Sequence, residues 1–129
     1  MAGIKHTWTT TVKNDAGANV LSDVTVITAV AEENFKDIAT AGGTLEVDLV
    51  IDVSQIASFF IESTQAVTFD TNSTPGGAQT FSLAAGVALN WRNTDQVNAN
   101  PLTTDITKLF FTNAGAVDAT VVGGFLLDL

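Results

Sequence analysis

Few residues in this chain carry reactive or ligating side chains, and their spacing does not gather them. His6 is the single histidine and there is no cysteine. A zinc site wants three or four nitrogen, sulfur or carboxylate ligands, and His6 has neither a second imidazole nor a thiolate to join. A serine–histidine hydrolase needs an acid and a nucleophile placed around the imidazole, and nothing in the sequence indicates either near His6. An imidazole that packs or meets a partner surface is the simpler role.

The carboxylates raise three further chemistries. Glu46 and Asp48 share one parity of an alternating stretch, with Asp52 beyond them. Paired carboxylates can hydrolyse glycosides across a cleft, but a spacing of two in an extended segment puts both on one face, where solvation accounts for them. Glu32, Glu33 and Asp37 can cap a helical turn or meet a cation, yet they lack the ordered oxygen spacing of a calcium loop. Asp70 and Asn72 offer two side chains to an ion that takes six or more oxygens. The glycine pairs Gly42–Gly43, Gly76–Gly77 and Gly123–Gly124 have no strand–loop–helix context and no Walker-type lysine, so they read as turns and bends. No catalytic, cofactor-binding or metal-ligating residue is assigned, and no cofactor is implied.

Binding chemistry is better supplied. Trp8 and Trp91 can stack on sugars, fill a core or bury area in a protein contact, and Arg92 beside Trp91 can bridge to a carboxylate or carbonyl. Phe60 has the wrong parity for the core face set by Phe59 and Ile61. It is left to cover a sheet edge, pack under a loop or enter a subunit contact. The interface candidates are therefore Ile4, His6, Trp8, Phe60, Trp91 and Arg92.

The elements that must position these residues are extended. Ile4, His6, Trp8, Thr10 and Val12 alternate with Lys5, Thr7, Thr9 and Thr11, which gives a strand or an extended amino-terminal arm over residues 1–19. Val24, Val26, Thr28 and Val30 share a face in the next apolar stretch. AEENFKDIATAGG holds either a short helix, with Phe35 and Ile38 on one side, or an irregular crossing loop. TLEVDLVI is the cleanest alternation, with Leu45, Val47, Leu49 and Ile51 pointing one way. SFFIES and QAVTFD read as an antiparallel pair around Ser63–Thr64, with Phe59, Ile61, Val67 and Phe69 facing the core. Phe81, Leu83 and Ala85 alternate, Gly86 permits a bend, and Val87, Leu89 and Trp91 continue. Residues 71–79 and 92–105 are loops by composition, suited to inter-sheet crossings or apical positions. Ile106–Leu129 reads as a hairpin in which Leu109 and Phe111 face the core and Asn113–Ala114–Gly115 turns the chain. Val117, Ala119 and Val121 line its return.

Composition agrees with this pattern. The chain is one domain by its 129 residues, and an apolar content of 46% argues against disorder. Thr, Val and Phe suit pleated surfaces. Fourteen acidic residues against five basic ones give a net charge of −9, and the basic residues are dispersed, which opposes direct binding of nucleic acid. No apolar run approaches transmembrane length and the amino terminus has no signal-sequence pattern. The expected fold is all-β, a jelly-roll-like antiparallel β-sandwich of about eight strands over residues 20–129.

The succession EVDLVIDVSQIASFFIESTQAVTFDTN, TFSLAAGVALNWRN and DITKLFFTNAGAVDATVVGGFLLDL resembles the small β-sandwich proteins of tailed-phage particles, in particular capsid cement or decoration proteins. The resemblance covers about residues 46–129 as an ordered progression of strands and includes no catalytic motif. It implies a non-enzymatic virion protein that binds across major capsid proteins and stabilises the shell. Such a subunit is a homo-oligomer on the capsid surface, made in the host cytoplasm, with Ile4–Val12 as an arm or intersubunit strand. Similar folds serve in tail and fibre components and in carbohydrate-binding modules, and that alternative stays open.

Overall fold

The computed structural model describes the backbone of residues 4–13, 19–29, 31–94 and 98–128, and side-chain surroundings in 31–94 and 98–128. Ten strands are described: β1 (Ile4–Lys13), β2 (Asn19–Ala29), β3 (Ala31–Ala39), β4 (Thr44–Ile51), β5 (Ile56–Ser63), β6 (Val67–Thr71), β7 (Thr80–Leu83), β8 (Leu89–Arg92), β9 (Ile106–Thr112) and β10 (Ala119–Leu127). Eight of them form two four-stranded antiparallel sheets, ordered β3-β10-β5-β8 and β4-β9-β6-β7. That interleaving is the two-Greek-key order of a jelly roll, with the last strand central in one sheet and the one before it central in the other.

The core lies between the sheets and is built by period-two placement. Phe59, Ile61, Val121, Phe125 and Leu127 enter from one sheet, and Val67, Phe69, Leu109 and Phe111 from the other. Directly opposed residues meet as rings: Phe59 and Phe125 stack with centroids 5.6 Å apart, and Phe69 and Phe111 lie 5.4 Å apart. Each phenyl buried here removes a large apolar area from water and adds an aromatic contact.

Parity was legible, but several pairings differ from those expected. AEENFKDIA is strand β3, neither helix nor loop. It supplies the outer partner of β10 and brings the Phe35 ring over Gly123, where an added Cβ would stand 2.2 Å from the ring. Ile38 consequently points away from Phe35 and is 52% exposed. β5 and β6 do not pair with each other; residues 64–66 carry the chain from one sheet to the other, so their phenyls face across the core. The segment Ile106–Leu129 is likewise no hairpin, because β9 and β10 belong to opposite sheets. Asn113 makes that crossing possible: it is fully buried, donating from Nδ2 to the carbonyls of Ala39 and Val117 and accepting from Gly115 N–H. A buried amide with its donors and acceptor satisfied fixes a loop between two layers. Val117, expected inside, is 59% exposed in this crossing loop. Phe81–Leu83 and Leu89–Trp91 fall in different sheets, with Gly86 between them in a left-handed conformation at φ 71°.

β1 and β2 pair antiparallel with each other from Ile4↔Ala29 to Lys13↔Asn19 and form a separate two-stranded ribbon. The ribbon ends at Ala29 and the first sandwich strand begins at Ala31. Its backbone runs close to β5 and β10.

Candidate functional site

Two Phe–Phe doublets decide what the sandwich shows to its surroundings. In a strand, neighbours point to opposite faces. Phe59 on β5 and Phe111 on β9 are fully buried, so Phe60 and Phe110 must point outwards, one from each sheet; both are partly exposed.

On the outer face of the β3-β10-β5-β8 sheet, Phe60 lies over Gly124. A Cβ at Gly124 would stand 2.8 Å from the Phe60 ring and 2.9 Å from the Asn34 amide oxygen. The ring thus covers backbone that a larger residue would push it away from. Glu32, Asn34 and Lys36 on β3, Phe60 on β5 and Val122 on β10 line a shallow open groove. One register row along, Leu126 and Ser58 share this outward parity yet are fully buried. The close passage of the β1–β2 ribbon beside β5 and β10 agrees with that burial.

Of the other expected interface residues, Trp91 does not share this face with Phe60. Trp91 sits opposite Phe59 on β8, packs on the core from inside the sandwich, and donates from Nε1 to the Asn98 carbonyl at 3.0 Å. It is a half-buried core residue whose polar tip is satisfied by a loop carbonyl. Arg92 is opposite Ser58 and so occupies the outward parity, half-buried. Ile4, His6 and Trp8 lie on β1, paired with Ala29, Ile27 and Thr25; their side chains fall outside the described residues.

The outer face of the β4-β9-β6-β7 sheet was not singled out by sequence, apart from Glu46 and Asp48. The registers place two rows across its four strands. One row is Thr44, Thr112, Thr68 and Ser82; the next is Glu46, Phe110, Asp70 and Thr80. The Thr44 and Thr112 hydroxyls lie 3.4 Å apart. Asp70 accepts from Thr80 Oγ1 at 2.5 Å and from Thr74 Oγ1 at 2.9 Å, which fixes its carboxylate beside the ring of Phe110. Lys108 donates to Glu46 and stands 3.5 Å from Asp48. The bond from Glu46, and then the charge of Asp48, raise the Lys108 pKa above its ordinary value. The loop that carries Thr74 is tied down by Asn72, at φ 70°, whose amide donates to Asp105 O and accepts from Thr107 N–H. Of Asp70 and Asn72, expected as loop oxygens, the first is an acceptor on this face and the second a loop anchor.

Glu46 and Asp48 therefore form an ion-paired strand face. Among the described residues no group of three or more His, Asp or Glu side chains could hold a metal ion, and no helix is long and apolar enough to cross a membrane.

No family model matches the chain, and no curated protein is similar to it. One solved structure is similar, from work titled "Bacillus endospore appendages form a novel family of disulfide-linked pili". It is 12% identical, with 78% of this chain and 90% of that chain covered, at a TM-score of 0.39. A likeness at that level carries no functional argument. From the resemblance to phage cement proteins, the jelly-roll-like sandwich stands; the cement role has no matching relative.

Proposed function

We propose that the protein is a non-enzymatic structural subunit that works by assembling with further protein, as a tail- or fibre-associated β-sandwich module. The observation that carries this reading is the β1–β2 ribbon. It extends over ten register pairs as a two-stranded sheet of its own, outside the ladders of the two four-stranded sheets. A lone two-stranded ribbon is marginal in water and gains stability by lying on another surface. Residues 4–29 thus supply an arm that can lie on its own sandwich or a neighbour's, with Ile4, His6, Trp8, Phe60 and Arg92 as contacts. The reading is of a homo-oligomer. An interior filled by phenyl rings supports such a role, since a rigid body transmits load through an assembly and needs no reaction centre.

Sedimentation of the full chain over a wide concentration range, followed by electron microscopy, tests this. Expected are concentration-dependent oligomers or fibres whose density holds the ribbon at a subunit contact. A chain that stays monomeric throughout and joins no particle of its source would refute the assembly role. Mapping to a capsid shell would instead select the cement role across major capsid proteins.

A further inference from the structure

The hydroxyl rows and Phe110 have a use that does not depend on the assembly reading. We propose that the outer face of the β4-β9-β6-β7 sheet binds a neutral polysaccharide. A sugar ring would stack on Phe110, and ring hydroxyls would bond to Asp70 and to the row Thr44–Thr112–Thr68–Ser82.

Three observations converge on that ligand class. First, Phe110 takes no part in the hydrophobic core and stands between Glu46 and Asp70 at the middle of a sheet face. An apolar ring surrounded by acceptors suits a pyranose, which has an apolar face and a polar rim. Second, four adjacent strands each contribute one hydroxyl to the same row. At the usual strand separation the row is about 14 Å long, which fits a ligand with repeating hydroxyls better than a single small molecule. A shallow depression between Thr68, Ser82 and Thr112, walled by Ala66 and Ala114, continues it.

Charge is the third observation. Lys108 bridges Glu46 and Asp48, so one ammonium is set against two carboxylates, and Asp70 is bonded by hydroxyls alone among the contacts described. The balance repels acidic polymers. It is also too weakly negative, and too much of it is already paired, to select a basic peptide. A neutral polyol matches it, because Asp70 is a fixed acceptor whose two hydroxyl donors hold it in place before any ligand arrives.

The test uses the full chain with insoluble cellulose, chitin and mannan in cosedimentation, soluble xylan in affinity electrophoresis, and polygalacturonate as the acidic control. Expected is retention by at least one neutral polymer and none by polygalacturonate. Phe110→Ala should weaken retention about tenfold, the scale of one lost aromatic contact. Thr68→Val should weaken it a few-fold, Phe110→Trp should preserve or strengthen it, and Ile38→Ala on the opposite sheet, at a 52% exposed position, should leave it unchanged. Melting curves confirm that each variant is folded; should Phe110→Ala unfold, Phe110→Trp and Thr68→Val decide. The proposal is overturned if no neutral polymer retains the chain, if Ile38→Ala abolishes retention while Phe110→Ala does not, or if only polygalacturonate binds. It is equally overturned if Phe110→Ala dissociates a self-associated form without changing retention, which would make a second copy the occupant.

Discussion

On β5 and on β9 the chain writes the same two letters, Phe–Phe, and the two sheets treat the outward ring differently. Phe60 lies on the Gly124 backbone, in a shallow groove with Glu32, Asn34, Lys36 and Val122. Phe110 lies between carboxylates and beside hydroxyls, so its face is polar with one apolar island. The inward members, Phe59 and Phe111, are both fully buried against other phenyl rings. What an aromatic does on a sheet is thus set by its cross-strand neighbours, which come from distant parts of the chain.

The comparison is broken most forcefully from inside. Phe59→Ala and Phe111→Ala should each cost about 3–5 kcal/mol in denaturant unfolding, whereas Phe60→Ala and Phe110→Ala should cost far less. Equal losses for inward and outward members would show that the rings assigned to the surface are structural. Next in size is Asn113→Ala, which leaves the Ala39 and Val117 carbonyls without their donor. It should cost about 1–3 kcal/mol, with Asn113→Asp no better, since a carboxylate cannot donate to either carbonyl.

The glycines sharpen the contrast further. Gly123→Ala should destabilise by about 1–3 kcal/mol because its methyl meets the Phe35 ring, wedged against Phe111 in the core. Gly124→Ala should cost less, since the atoms its methyl meets belong to the half-buried Phe60 and the exposed Asn34 rather than to a core ring, and should instead alter the contacts of that face. Amide exchange and unfolding midpoints for the two variants distinguish these outcomes. The smallest effect belongs to Lys108. Its raised pKa means that the favourable pairing is fully present below the ordinary lysine value and fades as pH rises through the raised one. The difference in melting temperature between the wild type and Lys108→Met should therefore be slight at neutral pH, shrink with salt, and vanish in strong alkali.

Much of this architecture was legible in the residues. Alternation assigned the inward faces of β4, β5, β6 and β9 correctly, because burial on one face leaves a period-two record. Pairing was not legible: the turn signals at Ser63–Thr64 and at Asn113–Gly115 look like hairpin turns, yet both connections cross between sheets. A short polar loop serves either purpose, and only the buried amide of Asn113 marks the second as a crossing. β3 was missed as a strand because its inward positions include Glu33 and Asp37, an edge pattern that lacks clean alternation. Phe60 was flagged by its parity. Parity marks Phe110 in the same way, whereas the row of hydroxyls around it has no signal in the sequence, because Thr44, Thr68, Ser82 and Thr112 become neighbours only through register.

The place of β10 bears on how the molecule is made. Strands β3 and β5 are both hydrogen-bonded to residues 119–127, so while the ribosome is still translating those codons the two wait without their shared partner. A nascent chain of this order cannot secure its first sheet domain-fragment by domain-fragment. It must close in one late event dominated by sequence-distant pairings, which makes folding slow and leaves unpaired strand edges exposed to neighbouring nascent chains until that moment.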